Sequence, residues 1–125
     1  MRTISYALQY PDYTQEDLGE ISLEKAINVF KTFPWDTHLN TYRDREDAGE
    51  KPAPPNICFT DGTYNLMISA NSMYRYAIMV SVPVKRFLMN SQKTLEFAPV
   101  PEADVSRLIK AYFETDFETI KDYKA

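Results

Sequence analysis

The stretch NICFTDGTYNLMISANSMYRYAIMVSV, residues 56–82, decides the fold. Ile57 and Phe59 alternate with Cys58 and Thr60. Tyr64, Leu66, Ile68 and Ala70 then alternate with Thr63, Asn65, Met67 and Ser69. Tyr74, Tyr76, Ile78, Val80 and Val82 do the same with Arg75, Ala77, Met79 and Ser81. Successive side chains of a strand point to opposite faces, so each set reads as a strand with one buried face. Asp61-Gly62 tolerates the positive φ of a tight hairpin, and Asn71-Ser72 marks a second turn. Strands joined this closely pair antiparallel. Further strand signals over Val84–Met89 and Thr94–Phe97, separated by Asn90-Ser91-Gln92, continue the meander, and Pro99 and Pro101 close it.

Upstream, Ile4, Tyr6, Leu8 and Tyr10 alternate with Thr3, Ser5, Ala7 and Gln9, which predicts a strand ended by Pro11-Asp12. Ser22 is placed to cap a helix that starts at Leu23, with Leu23, Ala26, Ile27 and Phe30 as its apolar stripe. Pro34 stops it. Asp36 is read as the cap of a second, polar helix reaching about Ala48 before Gly49, with a loop as the alternative. Lys51-Pro52-Ala53-Pro54-Pro55 is a stiff, extended connector into the sheet. Downstream, Val105, Leu108, Ile109, Tyr112 and Phe113 form the stripe of a helix starting near Glu102, which Phe117 and Ile120 extend. The expected architecture is one α+β domain over residues 1–125. A single antiparallel sheet of five or six strands carries an N-terminal helix and a long C-terminal helix on one face.

The 44% apolar content argues against disorder. The single cysteine, Cys58, excludes an internal disulfide. No N-terminal apolar run precedes a small-residue cleavage site, and the longest mainly apolar stretch, residues 76–84, is far too short to span a bilayer. The cytoplasm is therefore the expected location. The net charge of −4 is unevenly placed: residues 12–50 hold ten acids and four bases, residues 51–101 two acids and five bases. Such an acidic segment repels nucleic acid and attracts cationic partners, and it also keeps a protein soluble.

Catalytic chemistry is hard to place. A Cys or Ser nucleophile needs a base, most often His, and His38 is the only histidine. Twenty residues and the proline-rich connector separate it from Cys58, so a buried cysteine and a surface histidine are expected. One Cys and one His make no zinc site, and the run Asp44–Glu50 lacks calcium-loop spacing. Gly19, Gly49 and Gly62 stand alone, so no phosphate-binding loop is present. No metal, cofactor or catalytic residue is therefore expected. Three readings follow: a binding protein; a pocket protein or carboxylate-based enzyme using Glu96 or Asp36; and an oligomerisation or adaptor domain using the sheet's second face, with Met67, Met73, Met79 and Arg75. Nucleic-acid binding through Arg75, Lys85, Arg86 and Lys93 is disfavoured, since alternation turns Tyr74 and Tyr76 away from Arg75. The oligomeric state is left open.

The order of elements resembles the small immunity proteins of bacterial polymorphic-toxin and contact-dependent inhibition systems. The resemblance is carried by an opening strand and the helix Ile21–Ile27. The hairpin Asp61–Leu66, the strand Tyr74–Val80 and the closing helix Val105–Thr115 follow in the same order. Asp116 stands where such proteins often have a glycine. The resemblance implies stoichiometric neutralisation of a cognate toxin, often a cationic nuclease, by an acidic partner surface. The candidate contacts in the acidic segment are Asp36, Asp44, Glu46, Asp47 and Glu50, with Trp35 and Tyr42 as anchors.

Overall fold

A computed structural model describes residues 2–72, 74–86 and 89–124. The element order is β1 Ser5–Gln9, β2 Gln15–Glu20, α1 Leu23–Thr32, α2 Trp35–Asp47, β3 Asn56–Thr60, β4 Asn65–Ser72, β5 Arg75–Arg86, β6 Met89–Pro101, α3 Glu102–Phe113 and α4 Phe117–Asp122. The six strands form one sheet in the order β2-β1-β3-β4-β5-β6, and every neighbouring pair is antiparallel. The mixed α+β class and single antiparallel sheet are those the sequence predicts.

Register explains the core. Tyr6 pairs with Phe59, Ile57 with Ile68, Phe59 with Leu66, Leu66 with Val80 and Ile68 with Ile78, so these side chains share one face. The helices cover that face. Ala26 and Phe30 of α1 and Val105, Leu108, Ile109 and Tyr112 of α3 are buried with Ile57, Phe59, Leu66, Ile68, Ile78, Val80 and Val82 in one cluster. The other face carries Ala7, Cys58, Met67, Met79 and Glu96 in a transverse row and no helix.

Local chemistry sets the boundaries. The Ser22 hydroxyl accepts from the Lys25 N–H at 3.3 Å and caps α1. The Asp61 carboxylate accepts from the N–H groups of Thr63 at 2.8 Å and Tyr64 at 2.7 Å, and Gly62 takes φ 91°, which closes the β3–β4 turn. The other oxygen of Asp61 accepts from Arg2 Nε at 2.7 Å, and Arg2 Nη1 donates to the carbonyls of Tyr112 and Phe113. Arg2 also lies 4.4 Å from the Tyr112 ring centroid. One side chain thus ties the N-terminus, a turn and the carbonyl end of α3 together.

Several expectations need correction. Residues 15–20 form β2, an edge strand with all six residues exposed, where no apolar alternation announces a strand. Helix α2 exists, but begins at Trp35, so Asp36 lies in its first turn and is not the cap. Strand β4 runs through Ser72, which pairs with Arg75, so the turn comes later than Asn71-Ser72. Tyr74 takes φ 60° in that turn and is 61% exposed, outside the buried row that alternation assigned it. Strand β5 is continuous to Arg86, and Ser91 and Gln92 lie within β6, paired with Val84 and Pro83. The strand expected over Val84–Met89 includes Phe87 and Leu88, which lie outside the described residues. Pro99 and Pro101 belong to β6, which tolerates them because an edge strand leaves one row of N–H groups unpaired. The closing helix breaks in two: Thr115 takes φ 55°, and the Asp116 carboxylate accepts from the Thr119 N–H at 3.2 Å to cap α4. Asp116 therefore does a cap's work at the position where a glycine was expected.

Candidate functional site

The exposed acids of the acidic segment lie mainly on α2, the turn after it and the β1–β2 hairpin. In α2, Leu39 and Trp35 are buried and hold the helix down, while Asp36, Asp44, Glu46 and Asp47 are exposed. Glu50 follows, also exposed, after Gly49 at φ 85°. Among the described residues, none of these five carboxylates forms a salt bridge. The β1–β2 turn is tied to the connector that follows this helix. Its Tyr13 hydroxyl donates to the Lys51 carbonyl at 2.8 Å, and the Ala53 N–H donates to the Pro11 carbonyl at 3.1 Å. Asp12 is held below the usual carboxylate range by the Thr14 hydroxyl and N–H, with a smaller contribution from Arg45 of α2. Strand β2 adds three exposed acids: Glu16 on the helix side of the sheet, Asp17 on the helix-free side and Glu20 near Arg2 and Lys25. Sequence reading missed these three as strand residues because nothing apolar marked their strand.

The expected anchors fare differently. Trp35 is 7% exposed, its indole N–H donates to the Phe30 carbonyl at 2.9 Å, and its ring packs edge-on against Phe30, Phe33 and Tyr76. It is a core residue and offers a partner little surface. Tyr42 is half-buried and donates to Glu46 at 3.2 Å; burial first, then Glu46, raises its pKa. Asp36 stands apart from Asp44, Glu46 and Asp47, since eight residues of helix span about 12 Å. It lines a concavity of about 290 Å³ with Lys31, Tyr74, Tyr76 and Glu102. Burial, then Glu102 and Asp36, pushes the Tyr76 hydroxyl up to about 12.

The remaining candidates are dispersed. His38 packs against Tyr10 and Phe33, with ring centroids 5.0 and 5.1 Å away, on the helix-covered side of the sheet. Cys58 lies on the opposite face, paired with Ala7 and Met67, so the sheet separates the two. Burial raises the Cys58 thiol and lowers the His38 imidazole, which leaves the thiol protonated and the ring neutral at neutral pH. Glu96 pairs with Met79 on the helix-free face, remote from Asp36 on the other side. Among the described residues, no three His, Cys, Asp or Glu side chains form a metal-binding group. Among the described residues, no helix is long and apolar enough to cross a membrane.

Two further concavities bear on function. The larger, about 490 Å³, lies on the helix-free face over Ser5, Ala7, Gln9, Asn56, Cys58, Thr60 and Met67. Met79 projects from the same face at 42% exposure; Met73, expected beside it, lies outside the described residues. The smaller, about 280 Å³, is a groove between the helix-side face of β1 and the α1–α2 corner. Tyr6, Leu8, Tyr10, Val29, Phe33 and His38 line it, with Thr32 at its mouth. No protein-family model, curated protein or solved structure matches the chain.

Proposed function

We propose that the protein is a non-enzymatic binding protein of the immunity type, which neutralises a cognate cationic bacterial toxin domain by stoichiometric association in the cytoplasm. The observation that carries this reading is the row of exposed carboxylates on α2 and the turn after it, none of them in a salt bridge among the described residues. Arg43 and Arg45 lie among these acids, yet the row stays net negative, and net surface charge steers an oppositely charged partner and fixes its orientation. The hairpin β1–β2 adds Glu16 on the helix side of the sheet, so the proposed docking residues are Asp44, Glu46, Asp47 and Glu50 together with Glu16. Tyr42 lies among them as a half-buried aromatic.

The test is association with the toxin domain encoded beside the gene. Mixing the two purified proteins is expected to give an equimolar complex at micromolar concentration, weakened by salt. A neighbouring toxin domain that does not bind overturns the reading. The helix-free face favours a second reading, an oligomerisation surface, because Met79 stands proud beside a 490 Å³ hollow on an uncovered sheet. Equilibrium sedimentation that gives a monomer at high concentration removes it.

A further inference from the structure

We propose that the aromatic groove between β1 and the α1–α2 corner is the pocket for one basic side chain, arginine or lysine, of the partner protein. The inference rests on the binding reading above and names the chemistry at its centre. The groove exists because the helical layer does not reach the outer strands: Tyr6 and Leu8 of β1 and the following Tyr10 point to the helix side, yet remain only half-buried. Its apolar lining, Leu8 and Val29, suits an alkyl stem. Its aromatic wall is rigid, since Tyr10, Phe33 and His38 pack on one another with centroids 5.0 to 6.2 Å apart.

Charge selects the occupant. No basic side chain other than His38 lines the groove, and burial keeps that imidazole neutral. Two carboxylates flank it. Glu16 sits opposite Leu8 in the β1–β2 pairing and accepts a hydrogen bond from the Tyr10 hydroxyl, and the charge of Asp12 acts directly on His38. A cation against the half-buried Tyr6 and Tyr10 rings gains a cation–π attraction and the field of both acids, while Phe33, at 7% exposure, offers little face of its own. An anion meets repulsion, and an apolar side chain leaves the carboxylates unused. Glu16 and Asp12 then supply the polar rim at the centre of which the basic side chain sits.

The test uses the intact protein and a capped tripeptide with a central arginine, beside its neutral citrulline counterpart. Nuclear magnetic resonance titration is expected to show saturable, millimolar shifts of the Tyr6, Tyr10, Phe33 and His38 ring signals, at least about tenfold weaker with citrulline. Thr32→Arg puts a competing cation at the mouth and should abolish the shifts, whereas Thr32→Glu should preserve or strengthen them; Thr32 is exposed at the end of α1, so both variants are expected to fold. Absent shifts, equal response to citrulline, or indifference to Thr32→Arg overturn the proposal. With the toxin domain in hand, a complex that tolerates Thr32→Arg removes the groove and leaves the binding reading standing. Peptide binding without any toxin complex does the reverse.

Discussion

Strands β3 to β5 under α3 and the β1–β2 hairpin beside α2 are built from the same chain by opposite means. In the first region Ile57, Phe59, Leu66, Ile68, Ile78, Val80 and Tyr112 are all within 1% of full burial. In the second, β2 is exposed along its whole length and α2 buries only Trp35 and Leu39. Apolar burial dominates folding energy, so the first region carries the stability and the second is carried by it. A surface that is not needed to hold the fold is free to hold charge. That is why the acids collect on the side of the molecule where the core is thinnest.

The comparison breaks most readily at Tyr112. Its ring is fully buried and its hydroxyl donates to the Tyr64 carbonyl at 2.6 Å. Tyr112→Ala is expected to cost about 3–5 kcal/mol, the range for large aromatic truncations, read as a fall in the urea midpoint. A loss below about 1 kcal/mol would mean that the core is not where the stability lies.

The Arg2–Asp61 pair comes next. Both side chains are largely buried, at 19% and 10% exposure, so Asp61→Ala should cost about 3 kcal/mol by leaving Arg2 unpaired. The same carboxylate gives a pH signature. Burial raises the Asp61 pKa, but the hydrogen bonds from Tyr64, Arg2 and Thr63 outweigh it and hold the group below 3.8. Its contribution is therefore complete above pH 3.8 and is lost as the pH falls through the lower, folded-state value. The acid limb of the stability curve should flatten in Asp61→Ala; an unchanged limb would assign the acid sensitivity elsewhere.

The acidic side should respond in the opposite sense. Neutralising Asp44, Glu46 and Asp47 to their amides is expected to shift stability by no more than about 0.5 kcal/mol per site. The same triple variant should slow toxin association and flatten its salt dependence, read by stopped-flow mixing. If it unfolds the protein instead, the carboxylates are structural and the comparison fails.

A small effect of the opposite sign is expected at Tyr74. Its φ of 60° is one that glycine adopts without strain and tyrosine does not. Tyr74→Gly should therefore stabilise by about 1 kcal/mol or less, measured by thermal unfolding. A clear loss would show that the exposed ring makes a contact that matters more than the strain.

Much of the better-packed region was legible in advance. Alternation named the buried faces of β3, β4 and β5, and the stripe of α3 named Val105, Leu108, Ile109 and Tyr112. The acidic side was legible only as charge. Its strand β2 has no apolar period, because both of its faces are exposed, so nothing in Gln15–Glu20 distinguishes a strand from a loop. Trp35 was equally opaque: an indole after a proline at a helix start suits a surface anchor or a core wedge, and only its bond to the Phe30 carbonyl and its aromatic neighbours decide. Tyr6, Tyr10, Phe33 and His38 are spread over more than thirty positions of sequence, and no local pattern joins them.

What the sequence determined by itself was the α+β class, the antiparallel meander and the placement of charge, because period, turn chemistry and composition act between near neighbours. Tertiary structure decided the rest. It placed β2 at the sheet edge, put Cys58 and His38 on opposite faces, and broke the closing helix at Thr115. It also set β1 beside the α1–α2 corner so that a groove opened between them. Each of these depends on contacts between residues far apart in the chain, whose energies no local period records.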